Sequence, residues 1–454
     1  MNATPSSRGV KRRALLITLG VLALVAVVAL FLVVGPGPMA FSKGRKVDLK
    51  DYHAGNPSGV PAALAQASLI KKGEYLAKAA DCLVCHTAKG GEAFAGGFAF
   101  VLPFGTLYST NITPDKATGI GSYTDAQFLA AVHRGVRQDG ANLYPAMPYT
   151  SYTYMTDADA LAIKAYLFSL APVDSPNKRN ALAFPFNQRW AMRIWSALFN
   201  ANERFAPDAE KSADWNRGAY LAEALAHCGE CHTPRNPAFA LNNRKKFGGA
   251  LTAGWRAYNI SSDKSSGVGA WHDEELIAYL TKGHAAGHGS AAGPMGEAVD
   301  ESFSQLVPDD VHAIVAYLRS VPGSVSSDLP ALASAAPDSH KEGLAAAESR
   351  GKQVYEGACV SCHGWSGISD ISEYATLTGA RAVNDPHGTN VAQIVLAGMK
   401  RSSPADVTEM PGFGAAYSDS DIAAVANYVT TRFGSSGSSL SAAEIAKMRR
   451  ETAQ

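Results

Sequence analysis

The feature that most constrains this chain is a pattern of two cysteines, separated by two residues and followed directly by a histidine, that occurs three times. It uses all six cysteines, so none is left for a disulfide. The pattern is the attachment signature of c-type haem. Two thiols add to the vinyl groups on one porphyrin edge, which places the next residue beneath the ring as an axial iron ligand. The three sets are Cys82, Cys85 and His86; Cys228, Cys231 and His232; and Cys359, Cys362 and His363.

Two other chemistries use closely spaced cysteines. A thioredoxin-like redox pair needs neither the histidine nor three copies. A zinc site needs two CxxC pairs converging on one ion and leaves the histidines unexplained. The sequence therefore predicts three covalently bound haem c groups.

The N-terminus carries a second strong signal. Residues 14–34 (ALLITLGVLALVAVVALFLVV) contain no charge, and 21 residues at 1.5 Å each span about 31 Å, the thickness of a bilayer core. The apolar run is longer than that of a secretory signal, which favours an uncleaved membrane anchor over a cleaved signal peptide. Basic residues flank both ends, so charge does not orient it. Covalent haem attachment in bacteria occurs outside the cytoplasmic membrane, so we expect the body to face the periplasm.

The rest of the chain repeats. Cys82 and Cys228 lie 146 positions apart, and Cys228 and Cys359 lie 131 apart, which is the size of a domain. The predicted fold is all-α, with three tandem cytochrome c-like domains after one transmembrane helix. The predicted segments are an anchor with its flank at 1–50, domains at 60–180, 211–325 and 346–435, linkers at 181–210 and 326–345, and a polar C-terminal tail at 436–454.

Each copy begins with a helix that carries a glycine and an aromatic residue, and ends with an amphipathic helix that carries a tyrosine. We expect the glycine to permit a close crossing with the aromatic residue of the last helix. The glycines are Gly73, Gly218 and Gly351, and the tyrosines of the last helices are Tyr166, Tyr317 and Tyr428. The first two copies also share a stretch that begins at Asn111 (NITPDKATGIGSY) and Asn259 (NISSDKSSGVGAW), which makes them the closer pair.

Methionine is the usual sixth ligand of an electron-transfer haem c. Three methionines lie in Pro/Gly-rich segments at a similar distance before the last tyrosine: Met147, Met295 and Met410. Met155 and Met399 break this register. The alternative is that the methionines only pack the core. In the second copy His284 and His288 are also candidate ligands, although a polar loop is the preferred interpretation of both.

The composition excludes several other functions. The 41 basic and 40 acidic residues balance, so no nucleic acid is expected as a partner. No nucleophile–base arrangement, phosphate loop or nicotinamide fingerprint appears. The alternatives for function are a cytochrome c subunit of a terminal oxidase and a haem-containing reductase or peroxidase. The latter requires an open iron position.

With these motifs, the chain resembles the tri-haem cytochrome c subunits of membrane-bound, quinone-reducing alcohol, aldehyde, gluconate and sorbitol dehydrogenases. The resemblance rests on stretches such as FGTLYSTNITPDKATGIG, LYPAMPYTSYTYMTDAD, FPFNQRWAMRIW and EMPGFG, and it runs from about Gly73 to Tyr428. It implies a large catalytic subunit with a flavin, pyrroloquinoline quinone or molybdenum cofactor, often a small third subunit, and ubiquinone as the electron acceptor.

The resemblance also implies one methionine and one histidine for each iron: His86 with Met147, His232 with Met295, and His363 with Met410. An uncleaved anchor departs from the family, whose members commonly attach through surface segments. The anchor favours the aldehyde-oxidising, molybdenum-linked branch. Two interpretations of the Trp- and Arg-rich linker at 184–199 stay open, an interface hot spot and a helix that covers a domain seam.

Overall fold

The computed structural model describes residues 7–325, 345–402 and 407–452. Its first element is helix α1 (Ser7–Val34), whose stretch Ala14–Val34 has a mean hydropathy of 3.1 and is not buried by protein. By length and composition this stretch is able to cross a membrane. The predicted linker at 326–345 lies outside the described residues except for its last position.

The first unit of the body follows a set of short 3-10 turns. It contains the helices α2 (Leu69–Ala79), α3 (Cys82–Cys85), α4 (Asp125–Arg134), α5 (Tyr149–Tyr152) and α6 (Asp157–Ser169), and the strands β1 (Ala99–Leu102), β2 (Gly105–Tyr108) and β3 (Ala181–Leu182). Side-chain caps start its long helices: Ser68 accepts from the backbone of α2, and Thr124 forms a capping box with Gln127 at α4.

A linker helix, α7 (Ala191–Phe199), leads to the second unit. That unit contains α8 (Ala213–Tyr220), a π-helical turn (Leu221–Leu225), α9 (Gly229–His232), α10 (Asp273–Lys282), α11 (Gly293–Glu301) and α12 (Pro308–Ser320), with the strands β4 (Ala250–Thr252), β5 (Trp255–Ala257), β6 (His284–Ala285) and β7 (Gly289–Ser290).

The third unit contains α13 (Ala345–Ala358), α14 (Val360–His363), α15 (Thr389–Ala397), the strands β8 (Met399–Ser402) and β9 (Val407–Met410), α16 (Asp419–Phe433) and α17 (Ala442–Thr452). The 3-10 turns of the described residues are Ala40–Ser42, Leu49–Asp51, Ala62–Leu64, Asn243–Lys245, Phe303–Gln305 and Glu373–Ala375. The segment at 436–454, interpreted from the sequence as a polar tail, contains α17, and its Ile445 is fully buried.

In each unit the first helix crosses the last long helix at a glycine. A Cβ added to Gly73 on α2 would overlap the carbonyl oxygen of Ala162 on α6 and lie 2.9 Å from the Cβ of Tyr166. The predicted glycine–tyrosine contact is therefore confirmed. The equivalent pairs are Gly218 with Tyr317, at 2.8 Å, and Gly351 with Tyr428, at 2.7 Å.

The first two units share one hydrophobic core, while the third has its own. Leu76 and Met155 of the first unit belong to the same buried cluster as Leu225 and Ile314 of the second. Ile422 of the third unit lies in a separate cluster. The first two units, which are also the closer pair of copies in sequence, therefore form one packed body.

The described residues are mainly helical, and they also form four small antiparallel sheets that were not predicted from the sequence. The β4–β5 hairpin turns at Ala253 and Gly254, both with positive φ (+50° and +77°), as a type I′ turn requires. These strands of two to four residues are too short to produce a detectable two-residue period in the sequence.

The third unit docks on the β4–β5 hairpin of the second. The side chain of Asn390 on α15 accepts a hydrogen bond from the backbone of Arg256 at 2.8 Å and donates one back at 2.9 Å. Gln393 donates to the carbonyl oxygen of Gly254 at 2.9 Å. Backbone groups of one unit are thus satisfied by side chains of the other, which fixes the register of the contact.

Helix α7 covers the seam between the first two units. Trp195 donates to the carbonyl oxygen of Ala238 in the second unit at 2.7 Å. Asn200, directly after the helix, donates to the carbonyl oxygen of His133 in the first unit at 2.8 Å. Next to Ala238, the Asn236 side chain donates to Val33 at the end of α1 at 2.8 Å, which places the exit of the apolar helix beside this seam.

Candidate haem sites

Each CxxCH segment forms a single helical turn just after a longer helix. In the first two units the residue before the first cysteine has a left-handed backbone, with φ +52° at Asp81 and +38° at His227. This break ends the preceding helix and lets the cysteines begin a new turn. None of the six cysteines forms a disulfide.

The three histidines of these segments are held in the same way. The Nδ1 atom of His86 bonds the carbonyl oxygen of Thr110 at 2.7 Å, that of His232 bonds Tyr258 at 2.6 Å, and that of His363 bonds Ala375 at 2.6 Å. Because the carbonyl fixes the proton on Nδ1, Nε2 carries the free lone pair that binds iron. Burial lowers the pKa of all three imidazoles, which favours this neutral form.

The carbonyls of the first two units are positioned by the shared Asn stretch. Asn111, next to Thr110, donates to Thr118 at 3.0 Å and to the carbonyl oxygen of Val173 at 2.8 Å. Asn259, next to Tyr258, repeats both bonds with Ser266 and Ser324. The repeated sequence thus has a physical role, since it anchors the loop that orients the histidine.

The second attachment segment contains one residue more than the first, with ten positions from Gly218 to Cys228 against nine from Gly73 to Cys82. The π-helical turn Leu221–Leu225 accommodates the extra residue, as π turns commonly do. Glu223 in this turn is buried, pairs with Lys246 at 2.7 Å and accepts a hydrogen bond from Tyr317.

The first site has a cavity of about 710 Å³, a size in the range of cofactor pockets. Cys82, Cys85, His86, Met147 and Met155 are among the residues that line it. This donor set fits haem c: two thiols for the porphyrin edge, an imidazole with a free Nε2, and a thioether. Met155, set aside in the sequence analysis, thus lines the same cavity, and it is fully buried.

The polar residues of this cavity were not predicted from the sequence. Amide and basic side chains that follow α6 or lie in the linker line it, and they suit the carboxylates of haem propionates. A run of polar and basic residues just after the last helix, NKRN, was the available signal. These residues are Asn177, Lys178, Arg179, Asn180 and Arg189.

The other two predicted methionines each lie in the same unit as the corresponding attachment segment. Met295 is in the first turn of α11 and packs, half-buried, against the shared core. Met410 ends β9 and packs against the core of the third unit. Met399 faces Met410 directly across the β8–β9 hairpin, so the hairpin presents two thioethers together.

His284 and His288 occupy the β6–β7 turn, which packs between the second and third units. The His284 Nδ1 lies 2.9 Å from Ser290 Oγ, and its ring is 4.8 Å from that of Tyr374. The His288 ring stacks on Trp271 at 3.7 Å, and its Nε2 lies 3.2 Å from Glu275. The His284 ring therefore contacts the third unit at Tyr374, and the His288 ring is held by Trp271 and Glu275 of its own unit.

Burial of the cysteines disfavours the thiolate form that a redox dithiol needs. Burial raises the pKa of Cys82 and Cys228 to about 12 and that of Cys359 to about 11. A catalytic CxxC cysteine has a pKa at or below neutrality, because the thiolate is the nucleophile. The structure therefore argues against the thioredoxin-like alternative.

The first two sites share walls. The hydroxyls of Thr150 and Ser151, soon after Met147, donate to Glu230 between the cysteines of the second site, both at 3.2 Å. The Tyr152 ring lies 5.4 Å from that of His227. In the reverse direction, α11 of the second unit packs against α3 of the first. Each methionine-bearing segment thus rests on the other unit's attachment segment.

The sequence profile of the cytochrome c family matches residues 70–171 and 348–432. The chain is 39% identical over 416 residues to the fructose dehydrogenase cytochrome subunit of Gluconobacter japonicus, covering 87% of this chain and 85% of that protein. It is 37% identical to the gluconate 2-dehydrogenase cytochrome c subunit of Pantoea cypripedii (85% and 90% covered). It is 34% identical to the cytochrome c subunit of the alcohol dehydrogenase (quinone) of Gluconacetobacter polyoxogenes (85% of each).

Proposed function

Because this chain belongs to the family of cytochrome c subunits of quinone-linked dehydrogenases, we propose that it passes electrons from a periplasmic dehydrogenase subunit through three haems to ubiquinone. The haems supply the reversible one-electron chemistry of iron. The protein's contribution is to hold the ligands, exclude water and bring the sites together.

The assignment of three haems rests on one contact that recurs in all three units. The imidazole of His86, of His232 and of His363 each forms a hydrogen bond with a backbone carbonyl oxygen. This contact is the one that an iron-bound histidine needs on its far nitrogen. The second unit, which lies outside the two profile matches, has it too. We therefore assign one cytochrome c domain and one haem to each CxxCH segment.

We assign Met147, Met295 and Met410 as the sixth ligands. Met147 shares a cavity with His86, which supports the first assignment. The ring contacts of His284 with Ser290 and Tyr374, and of His288 with Trp271 and Glu275, favour Met295 for the second. With methionine on every iron, no position is open for a reductase or peroxidase reaction, and the higher potential that methionine confers suits electron transfer.

The proposed partner is a large dehydrogenase subunit that carries a flavin, pyrroloquinoline quinone or molybdenum cofactor, with a small third subunit in some complexes. The names of the relatives support this, since each is a subunit of a dehydrogenase. Substrate oxidation takes place on that subunit. Among these partners we propose a molybdenum-linked, aldehyde-oxidising dehydrogenase subunit.

We propose that α1 anchors the chain in the bacterial cytoplasmic membrane with its body in the periplasm. The start of α7 supports this, because Trp190 is 68% exposed and Ile194 58% exposed. The same helix bonds Ala238 through Trp195, and Asn236 in that loop bonds Val33 at the end of α1. Exposed apolar side chains at one helical spacing fit the lipid interface.

The test is electron transfer in the isolated complex. Membranes are solubilised, the complex is purified through a tag on this chain, and the cofactor of the co-purifying large subunit is identified. Its substrate should reduce the haem absorbance, and a short-chain ubiquinone should reoxidise it. Haems that ubiquinone leaves reduced, or tight binding of carbon monoxide by a native haem, would exclude the proposed function.

A further inference from the structure

Arg401 is a buried cation that passes from the third unit into the second. It lies on β8, is 5% exposed, and extends to α11. Its Nη1 donates to the carbonyl oxygen of Gly296 at 2.7 Å, and its Nη2 pairs with Asp300 at 2.9 Å. The residue before Gly296 is Met295, so the guanidinium contacts the helical turn that carries the second methionine.

The second unit has room for this guanidinium because residue 283 is a glycine. Gly283 ends α10 with φ +71°, and a Cβ added there would overlap the guanidinium of Arg401. A Cβ on Gly296 would lie 3.2 Å from its Nη1. Two glycines of the second unit therefore bracket a cation supplied by the third.

At its other end Arg401 belongs to the hairpin that carries the third methionine. In the β8–β9 register Arg401 faces Thr408, and Met399 faces Met410. Side chains two apart on a strand share a face, so Arg401 lies on the same face of the hairpin as both methionines. One side chain thus joins the methionine-bearing segments of two units.

We propose that Arg401 is a positioning residue that couples the second and third haem sites: it holds α11 against the β8–β9 hairpin and places a buried positive charge between them. The inference rests on the proposed function, which assigns Met295 and Met410 to iron. Oxidised haem carries one more positive charge than reduced haem. A buried cation near a haem therefore disfavours oxidation of its iron and raises its reduction potential. The negative charge of Asp300 has the opposite effect on the potential.

The test is a spectroelectrochemical titration of the haem-loaded full chain with three charge variants. Arg401→Gln should lower two of the three potentials and leave the third unchanged, and Asp300→Asn should raise the same two. Lys447→Gln removes an equal charge from the exposed face of α17 and should leave all three potentials in place. Unchanged potentials in Arg401→Gln, or a shift equal to that of Lys447→Gln, would overturn the inference.

A second variant separates charge from folding. Arg401→Lys keeps the cation but not the planar fork, so its potentials should fall less than those of Arg401→Gln. Equal falls in both variants would reject the electrostatic role. Limited proteolysis reports the contact between the units without any redox readout, and Arg401→Gln should be cleaved faster between them than Lys447→Gln.

Failure of the proposed ligation is visible independently. Methionine-bound ferric haem has a weak far-red absorption band, and Met295→Ala and Met410→Ala should each reduce it. If the band persists in both, the methionine assignment fails. The titration of Arg401→Gln still decides whether the cation acts on two haems.

Discussion

Tyr75 of the first unit donates a hydrogen bond of 2.6 Å to Asp310 of the second unit, and the equivalent residues repeat the contact in reverse. Tyr220 of the second unit donates to Asp159 of the first at 2.5 Å. Each tyrosine lies two residues after the crossing glycine of its helix, and each aspartate lies in the first turn of α6 or α12. The first two units thus pair through an isologous contact, like the subunits of a symmetric dimer.

The third unit lacks this contact. Two residues after Gly351 the chain has Gln353, which carries no phenol, and Asp421 pairs with Arg350 of its own unit at 2.7 Å. The third unit therefore docks on the second through other surfaces, chiefly the β4–β5 hairpin and Arg401.

The reciprocal pairs predict unequal effects of removing the two hydroxyls. Tyr75→Phe leaves Asp310 with two bonds to Arg217, at 2.6 and 2.7 Å. Tyr220→Phe leaves the Asp159 carboxylate with one neutral donor, the backbone N–H of Gly59 at 2.8 Å. We expect Tyr220→Phe to cost about 1–3 kcal/mol of stability, as for a buried group that loses one of its hydrogen bonds, and Tyr75→Phe to cost less.

The melting temperature of the first two units measures this difference in stability between Tyr220→Phe and Tyr75→Phe. Tyr166→Phe is the matched control, because its hydroxyl makes no hydrogen bond within the described parts of the chain. Equal melting temperatures for Tyr220→Phe and Tyr166→Phe would show that the reciprocal pair does not stabilise the interface.

The crossing glycines allow a comparison within one helix. Gly351→Ala places a methyl group against the carbonyl oxygen of Ala424 and should cost about 1–3 kcal/mol or more. Gly357→Ala, six residues later on α13, has nothing within 4 Å and should stabilise the helix by up to about 1 kcal/mol. Denaturation of the haem-loaded third unit in the full chain distinguishes them, and similar effects would refute the close crossing.

These glycines were predictable from the sequence because each of the three copies has one in the helix before its CxxCH segment, and a glycine beside an aromatic residue has a simple steric meaning. How the units dock on one another was not predictable from the sequence. It depends on single long-range bonds, such as those of Tyr75 and Arg401, and nothing local marks a tyrosine as an interface residue. The π turn at Glu223 was hidden for a related reason, since one inserted residue is equally compatible with a longer loop.

The β8–β9 hairpin gives a test of the third iron ligand, since Met399 and Met410 face each other. We predict that Met410→Ala lowers the potential of one haem and removes its share of the far-red band, because a thioether ligand raises the potential. Met399→Ala should leave both unchanged. The reverse pattern would assign Met399 to the iron and refute the register argument.

Asp81, directly before Cys82, predicts a pH dependence of stability. Burial, assisted by Glu297 and Glu301, raises the pKa of Asp81 to about 8. Since the folded pKa exceeds the unfolded one, this group favours the fold when protonated, and its contribution falls as the pH rises from about 4 towards 8. Asp81→Asn keeps a residue that tolerates the left-handed backbone and should be more stable than wild type at about pH 8.

The melting temperature at about pH 5 and about pH 8 checks this expectation. The difference between the two values should shrink in Asp81→Asn and stay at the wild-type value in Asp51→Asn, a change at an exposed aspartate. A wild-type difference that survives in Asp81→Asn would assign the pH dependence to another group.

Intact-mass measurement of the mature chain, expressed with a haem-attachment system, tests three haems most directly. The wild type should carry three covalent haems. Each double Cys→Ala variant, at Cys82 and Cys85, at Cys228 and Cys231, or at Cys359 and Cys362, should lose one and keep two. A wild type with two haems, or a variant of the second pair with an unchanged count, would contradict the account.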